Sequence, residues 1–274
     1  MLRVVSGLVA HEMPVLSMPF SQGWHGRVGH RNVVAVDVLR AGSVVVVLLA
    51  RGVKQVWICA DEVAVRRRYT GRELLVGERG GLKLDGFEYG NSPSVLNEAR
   101  MANRTALLCT SGLSPAVLAL AGAPVLLVGS TLNASAVAKV MCEIGGEWAL
   151  VGAAAAGVFR AEDKVGCMLI GERYRRIVLP REGIAGTSGA RVGFAYVRRV
   201  IRRSASGRYL TEIGAEADVE FAATRVDTYD LVPFCRLREA DAVMVEVWDG
   251  GRRGVSNASV GPSAAGRARV SRSW

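Results

Sequence analysis

Residues 77–93 of the chain read GERGGLKLDGFEYGNSP. Five glycines share that segment with Glu78, Arg79, Lys83, Asp85, Glu88, Asn91 and Ser92. Glycines let backbone approach a ligand closely and adopt positive φ, while the charged residues offer both metal-type ligands and anion donors. A solvated connector needs no such mixture. The segment follows the apolar run Leu74-Leu75-Val76, and a strand delivering a polar, glycine-rich loop at its carboxyl end is how open α/β sheets build sites. Glu78 would then be a metal ligand and Arg79 an anion clamp, because a guanidinium meets phosphate or sulfonate oxygens in pairs. The alternative is a surface ion pair in a turn. Crowding by Lys83, Asp85, Glu88 and Asn91 favours the site, although Asn91-Ser92-Pro93 alone is an ordinary helix start.

Three further groups carry the same chemistry. Asp37 closes the β-branched run Val33–Val38 and is followed by Arg40. A carboxylate at a strand end suits Mg²⁺, which prefers hard oxygen ligands; on position alone, a helix cap is the favoured reading. Asn133 and Ser135 open a helix after VLLVGS (125–130), where free backbone amides can bind an anion or be capped by their own side chains. Glu162 and Asp163 begin another helix and either add carboxylates to a metal site or satisfy the helix dipole. Together they put acids and anion donors at successive strand ends, the arrangement a Mg²⁺-assisted phosphoryl site needs.

Other chemistries find no support. The chain has no GxxxxGK[ST], GxSxG or HExxH motif and no GxGxxG after its first strand. All three histidines (His11, His25, His30) fall in the first thirty residues. The five cysteines are widely spaced with no CxxC pair, which argues against a disulfide framework or a structural zinc.

The elements that must position these residues are legible as alternation. Strands are expected at Val33–Val38, Val53–Cys59, Thr105–Cys109, Val125–Val128 and Trp148–Val151. Helices are expected at Leu39–Arg51, at Asp61–Arg68 with acids first and arginines last, at Pro115–Ala121, at Asn133–Glu143 and at Ala161–Arg173. This is the pattern of a three-layer α/β/α domain with a mostly parallel sheet. Beyond a glycine-rich connector (Leu179–Gly189), helices are expected at Arg191–Ser204 and Tyr209–Ala223, then a short final strand at Leu231–Phe234. They form a C-terminal helical portion on the same sheet.

At 274 residues the chain can bury a large core, and we expect one domain over residues 1–250. The longest apolar run, Ala41–Ala50, is too short to span a bilayer, and no signal peptide opens the chain, so a cytoplasmic protein is expected. The net charge of +10 is concentrated: Gly251–Trp274 holds five arginines and no acid, and without it 30 basic residues face 25 acidic ones. That tail reads as disordered low complexity, and with no interleaved aromatics a nucleic-acid partner is not expected.

Several blocks, in order, resemble the 2-phosphosulfolactate phosphatase family, Mg²⁺-dependent hydrolases associated with coenzyme M biosynthesis. They are VVAVDVLRAGS (33–43), the 77–93 segment, GSTLNASAVA (129–138), AED (161–163) and RRSASGRYLTEIGAEADVEFAATRVDTYDLVP (202–233). The resemblance covers roughly residues 30–236. It implies an α/β fold, bound Mg²⁺ and hydrolysis of a small sulfonated phosphoester. Carried onto the matching positions, Asp37, Glu78 and Asp163 would be metal ligands or general acid–base carboxylates. Arg40, Arg79 and Lys83 would hold phosphate and sulfonate, with Asn91, Ser92, Asn133 and Ser135 lining the substrate. Two segments depart from the family pattern. Its TTxNGT stretch is here Cys109-Thr110-Ser111-Gly112-Leu113-Ser114-Pro115, and its Cys-Ala-Gly turn is the alanine run Ala153–Ala156. The departures keep two alternatives open: a paralogue acting on another phospho-acid, and a non-catalytic binder of an anionic metabolite. A homo-oligomer is also left open.

Overall fold

The computed structural model describes residues 15–19, 29–153, 159–179, 192–251 and 256–257. His11, His25, most of the alanine run, most of the 179–189 connector and nearly all of the basic tail lie outside the described residues.

The strands are β1 (Val15–Pro19), β2 (Asn32–Val36), β3 (Gln55–Cys59), β4 (Leu74–Arg79), β5 (Leu82–Lys83), β6 (Thr105–Cys109), β7 (Leu126–Gly129), β8 (Trp148–Gly152), β9 (Pro233–Arg238), β10 (Ala242–Val247) and β11 (Ser256–Asn257). The helices are α1 (Ala41–Ala50), α2 (Glu62–Arg68), α3 (Pro93–Glu98), α4 (Leu113–Ala119), α5 (Ala134–Ile144), α6 (Ala161–Val178), α7 (Phe194–Arg203), α8 (Ala205–Glu212) and α9 (Glu216–Thr224). The stretch expected as one helix over Tyr209–Ala223 is two, broken at Gly214, whose φ of +79° an α-helix cannot continue through.

The fold is α/β, but the sheet is mixed rather than mostly parallel. The strands run in the order β1-β8-β2-β7-β9-β10-β3-β6-β4-β5, with β11 beside β9. Two parallel groups, β1-β8-β2-β7 and β3-β6-β4, are separated by the antiparallel hairpin β9–β10. Only a four-residue final strand was expected in that region. Arg236 and Arg238 disguise β9 as surface, because a strand with two arginines does not look central. Both are nevertheless buried. Arg236 pairs with Glu246 at 3.1 Å and Asp249 at 3.1 Å, and Arg238 donates to the carbonyls of Ala121 and Ala123.

The core explains how distant strand ends meet. Val33 and Ala35 of β2 and Ala149 and Val151 of β8 share one apolar cluster with Val56 and Ile58 of β3, Val76 of β4 and Leu108 of β6. The same cluster holds residues of α1, α3, α4, α9, β7, β9 and β10. Those strand groups lie in opposite halves of the sheet order, yet residues at their carboxyl ends line one cavity, so the sheet must curl to bring those ends toward one another. α1 suits this enclosed place because none of its ten residues is charged, and Ala41–Leu49 are all buried. On the opposite face of β2, Val34 and Val36 pack with residues of α5–α9.

Candidate active site

A cavity of about 510 Å³ opens where the curled sheet brings these ends together. It is lined by Asp37 after β2, Glu78 on β4, Thr110–Gly112 after β6, Ala153 after β8, and Glu162 and Asp163 in the first turn of α6. Arg40, Asn91, Arg160, the double glycine Gly80-Gly81, and Ser206 and Tyr209 of α8 complete the lining.

Asp163 and Glu78 are fixed by backbone. Asp163 Oδ1 accepts the Val38 amide at 2.9 Å, which pins α6 to the end of β2. Glu78 Oε1 accepts the Ser111 amide at 2.7 Å, and its Oε2 accepts the Gly81 amide at 2.7 Å and the Ser111 hydroxyl at 3.3 Å. Gly81 has φ of +82°, and a Cβ there would lie 2.8 Å from Ile213, so the tight β4–β5 turn that aims this amide needs glycine. At Gly42 a Cβ would fall 2.3 Å from the Asp37 carbonyl oxygen; its absence lets α1 begin directly against the end of β2.

The electrostatics are those of crowded acids. Burial, opposed by the amides of Gly42 and Ala41 and reinforced by the Glu162 and Glu78 carboxylates, raises the Asp37 pKa from 3.8 to about 7. Burial, then Asp37 and Glu162, holds Asp163 well above the usual carboxylate range, against the Val38 amide and Arg160. Asp37 Oδ1, Glu162 Oε2 and Asn91 Oδ1 are buried without a hydrogen-bond partner. Buried oxygens are normally satisfied, so three such atoms on residues lining one cavity point to a missing partner.

Those oxygens suit a hard cation. Among the described residues, no group of three or more His, Cys, Asp or Glu side chains is arranged to hold a metal ion by itself. Mg²⁺ asks for less, since it commonly keeps several waters and takes one or two carboxylates. Asp37 and Glu162, with their partnerless oxygens, fit that requirement.

The residues singled out from the sequence divide cleanly. Asp37, Glu78, Asp163, Arg40 and Asn91 come together on the cavity. Arg79, Lys83, Ser92, Asn133 and Ser135 do not line it. Arg79 follows Glu78 on β4, so alternation sends its side chain to the other face, where its Nη2 lies 3.6 Å from Glu62. Lys83 is exposed on β5, opposite Glu78 in the ladder. Asn133 accepts the Ser130 amide at 3.0 Å and donates to the Leu231 carbonyl at 3.1 Å; Ser135 binds Asp227 through both its amide and its hydroxyl. Both are helix-start contacts of the capping kind. Ser92 caps α3 and donates to Asp218 at 2.6 Å. The segment read from the sequence as one irregular loop is in part β4 and β5.

Arg160, Ser111 and Tyr209 were not foreseen. Ser111 acts through its backbone amide, which no side-chain motif reveals. Arg160 stands two residues before the Glu162-Asp163 pair, and that proximity was the available signal.

The family model described as 2-phosphosulpholactate phosphatase matches residues 23–237. A probable 2-phosphosulfolactate phosphatase of Carboxydothermus hydrogenoformans is 29% identical over 221 residues, covering 78% of this chain and 90% of its own. Those of Thermosynechococcus vestitus and Gloeobacter violaceus are each 30% identical, over 73% of this chain and 87% and 86% of theirs. With both the sequence blocks and a match over most of the chain in place, the chain belongs to the 2-phosphosulfolactate phosphatase family.

Proposed function

We propose that this chain is a Mg²⁺-dependent phosphatase that hydrolyses a small, strongly anionic phosphomonoester, 2-phosphosulfolactate to sulfolactate and phosphate. The observation that carries this reading is the charge of the cavity wall: Asp37, Glu78, Glu162 and Asp163 face it, against Arg40 and Arg160. Arg40 is already paired with Asp218 at 2.8 Å. A phosphate dianion is repelled by such a wall unless a divalent cation comes with it. Family membership supports the same substrate class.

In this reading Asp37 and Glu162 hold Mg²⁺, with Asp163 and Glu78 beside them. When bound there, Mg²⁺ would offset carboxylate charge and supply Lewis-acid polarisation of the phosphoryl oxygens. Arg160, exposed at the cavity edge, meets the acidic end of the substrate, and the Asn91 amide orients it. Arg40 contributes a fixed positive field. Hydrolysis breaks the ester P–O bond, water supplies the new oxygen on phosphorus, and its proton passes to the leaving alkoxide. A carboxyl group held well above the usual carboxylate range by burial and by its acidic neighbours can carry that proton, which suits Asp163.

The test is phosphate release from 2-phosphosulfolactate by purified protein, with Mg²⁺ and with EDTA. Mg²⁺-dependent turnover is expected. Turnover unaffected by EDTA contradicts the reading, and release from other phospho-acids but not from this one moves it to a paralogous substrate.

A further inference from the structure

Asp218 of α9 is a buried carboxylate that does not line the cavity, yet it holds the cavity's parts. Its Oδ2 accepts Arg40 Nη1 at 2.8 Å. Its Oδ1 accepts the hydroxyls of Ser92 and Ser94 at 2.6 Å each and the Ser94 amide at 3.2 Å. Arg40 in turn donates from Nη2 to the Gly81 carbonyl at 2.7 Å, and the Gly81 amide is the group that binds Glu78. Asp218 is 2% exposed and Arg40 6%.

Two chains of contact therefore leave one carboxylate. The first runs Asp218, Arg40, Gly81, Glu78. The second runs from Asp218 through Ser92 to its neighbour Asn91, whose Oδ1 lacks a partner inside the cavity. Tyr209 adds an outer tie, donating from its hydroxyl to the Gly80 carbonyl at 2.8 Å. A buried ion pair is a poor way to gain stability, since desolvation offsets most of its attraction; its use lies in fixing geometry. Here the fixed geometry is that of a two-glycine turn, which has little stiffness of its own.

We propose that Asp218 is a positioning residue of this site that acts through Arg40, and that Arg40 serves chiefly to set the Gly80-Gly81 turn, and thereby the Glu78 carboxylate, rather than to grip the substrate. The kinetic part rests on the phosphatase reading above; the structural part does not.

The experiment compares wild type with Asp218→Asn, which keeps shape and removes charge, and with Glu220→Gln, which breaks the exposed Arg202–Glu220 pair on the same helix. Three quantities are read: amide hydrogen exchange resolved at Gly81 and Ser111, direct calorimetric titration with Mg²⁺ alone, and kcat and KM. In Asp218→Asn, exchange at Gly81 is expected to quicken about tenfold while β6 core amides keep their protection. Mg²⁺ affinity and kcat should fall about 10- to 100-fold with KM little changed, as for other outer partners of a metal site. Glu220→Gln should match wild type throughout. If Asp218→Asn does not fold, Ser94→Ala removes one tie to Asp218 and should move exchange at Gly81 in the same direction by about threefold. Unaltered exchange at Gly81 in a folded variant overturns the proposal. A wild type that releases no phosphate sinks the phosphatase reading alone, and the exchange result still decides the positioning role.

Discussion

The Asp163 carboxylate receives the backbone amide of Val38, 125 residues away in sequence, at 2.9 Å. This one bond sets the first turn of α6 against the end of β2. It thereby places Asp163 beside Asp37 and brings Glu162 and Arg160 to the same cavity. The acids repel one another, and the fold holds them together because α6 packs on β2 and β8 and cannot carry them elsewhere.

Crowding has a cost that pH exposes. Asp37 titrates at about 7 in the folded chain and at 3.8 when unperturbed, and Asp163 is raised too. Between those values the folded state binds more protons than the unfolded state, so metal-free stability is highest at the acid end and is lost as pH rises through the folded pKa. Thermal unfolding in EDTA should give a Tm that falls from about pH 4 to pH 7. Asp37→Asn should flatten that dependence and stabilise at neutral pH while abolishing turnover. A Tm that rises over this window contradicts the assignment.

Glu78→Gln retains the shape of its side chain and the acceptor for one amide. The substituted amide group cannot accept from both Gly81 and Ser111, so one donor is left unpaired at a cost of about 1–3 kcal/mol. Phosphate release should fall at least about 100-fold, with Tm lowered by several degrees. Wild-type kcat in this variant would remove Glu78 from the site.

Arg160→Ala should raise KM about tenfold or more with a smaller change in kcat, because the guanidinium meets the substrate before and during reaction alike. Arg79→Ala and Lys83→Ala should leave KM within about twofold, as neither side chain reaches the cavity. Steady-state kinetics on the three variants decides the matter, and a reversed order would restore Arg79 and Lys83 as substrate ligands.

Ser135→Ala removes a hydroxyl bound to Asp227, which also takes the Arg173 guanidinium at 3.1 Å. Denaturant unfolding should show a loss of about 1–2 kcal/mol with kcat unchanged. A selective loss of kcat would instead give the α5 start a part in catalysis.

Much of this arrangement was readable in the residues. α2 begins and ends where Asp61 and the arginines said it would, with Asp61 accepting the Ala64 amide at 2.8 Å. Asp37, Glu78 and Asp163 were singled out because carboxyl ends of strands often carry functional groups, and the fold brings all three to one cavity. Asn133, Ser135 and Ser92 were drawn in by the same logic but serve helix starts, since a capping side chain and an anion site share one sequence signature. Arg79 was lost to strand alternation, which could be applied only once β4 was known to extend through it. The β9–β10 hairpin was hidden by two buried arginines, Arg236 paired with acids on and just after β10 and Arg238 held by the distant carbonyls of Ala121 and Ala123. Asp218 looked like one acid among several on a helix, because its meaning lies in what Arg40, Ser92 and Ser94 do around it.

A crystal soaked with Mg²⁺ and sulfolactate tests the central claim most directly. The ion should appear about 2.1 Å from Asp37 Oδ1, with Glu162 on the same ion or one water away and the sulfolactate anion toward Arg160. An ion bound elsewhere, or sulfolactate seated on Arg79 and Lys83 with the cavity filled only by water, would contradict the account.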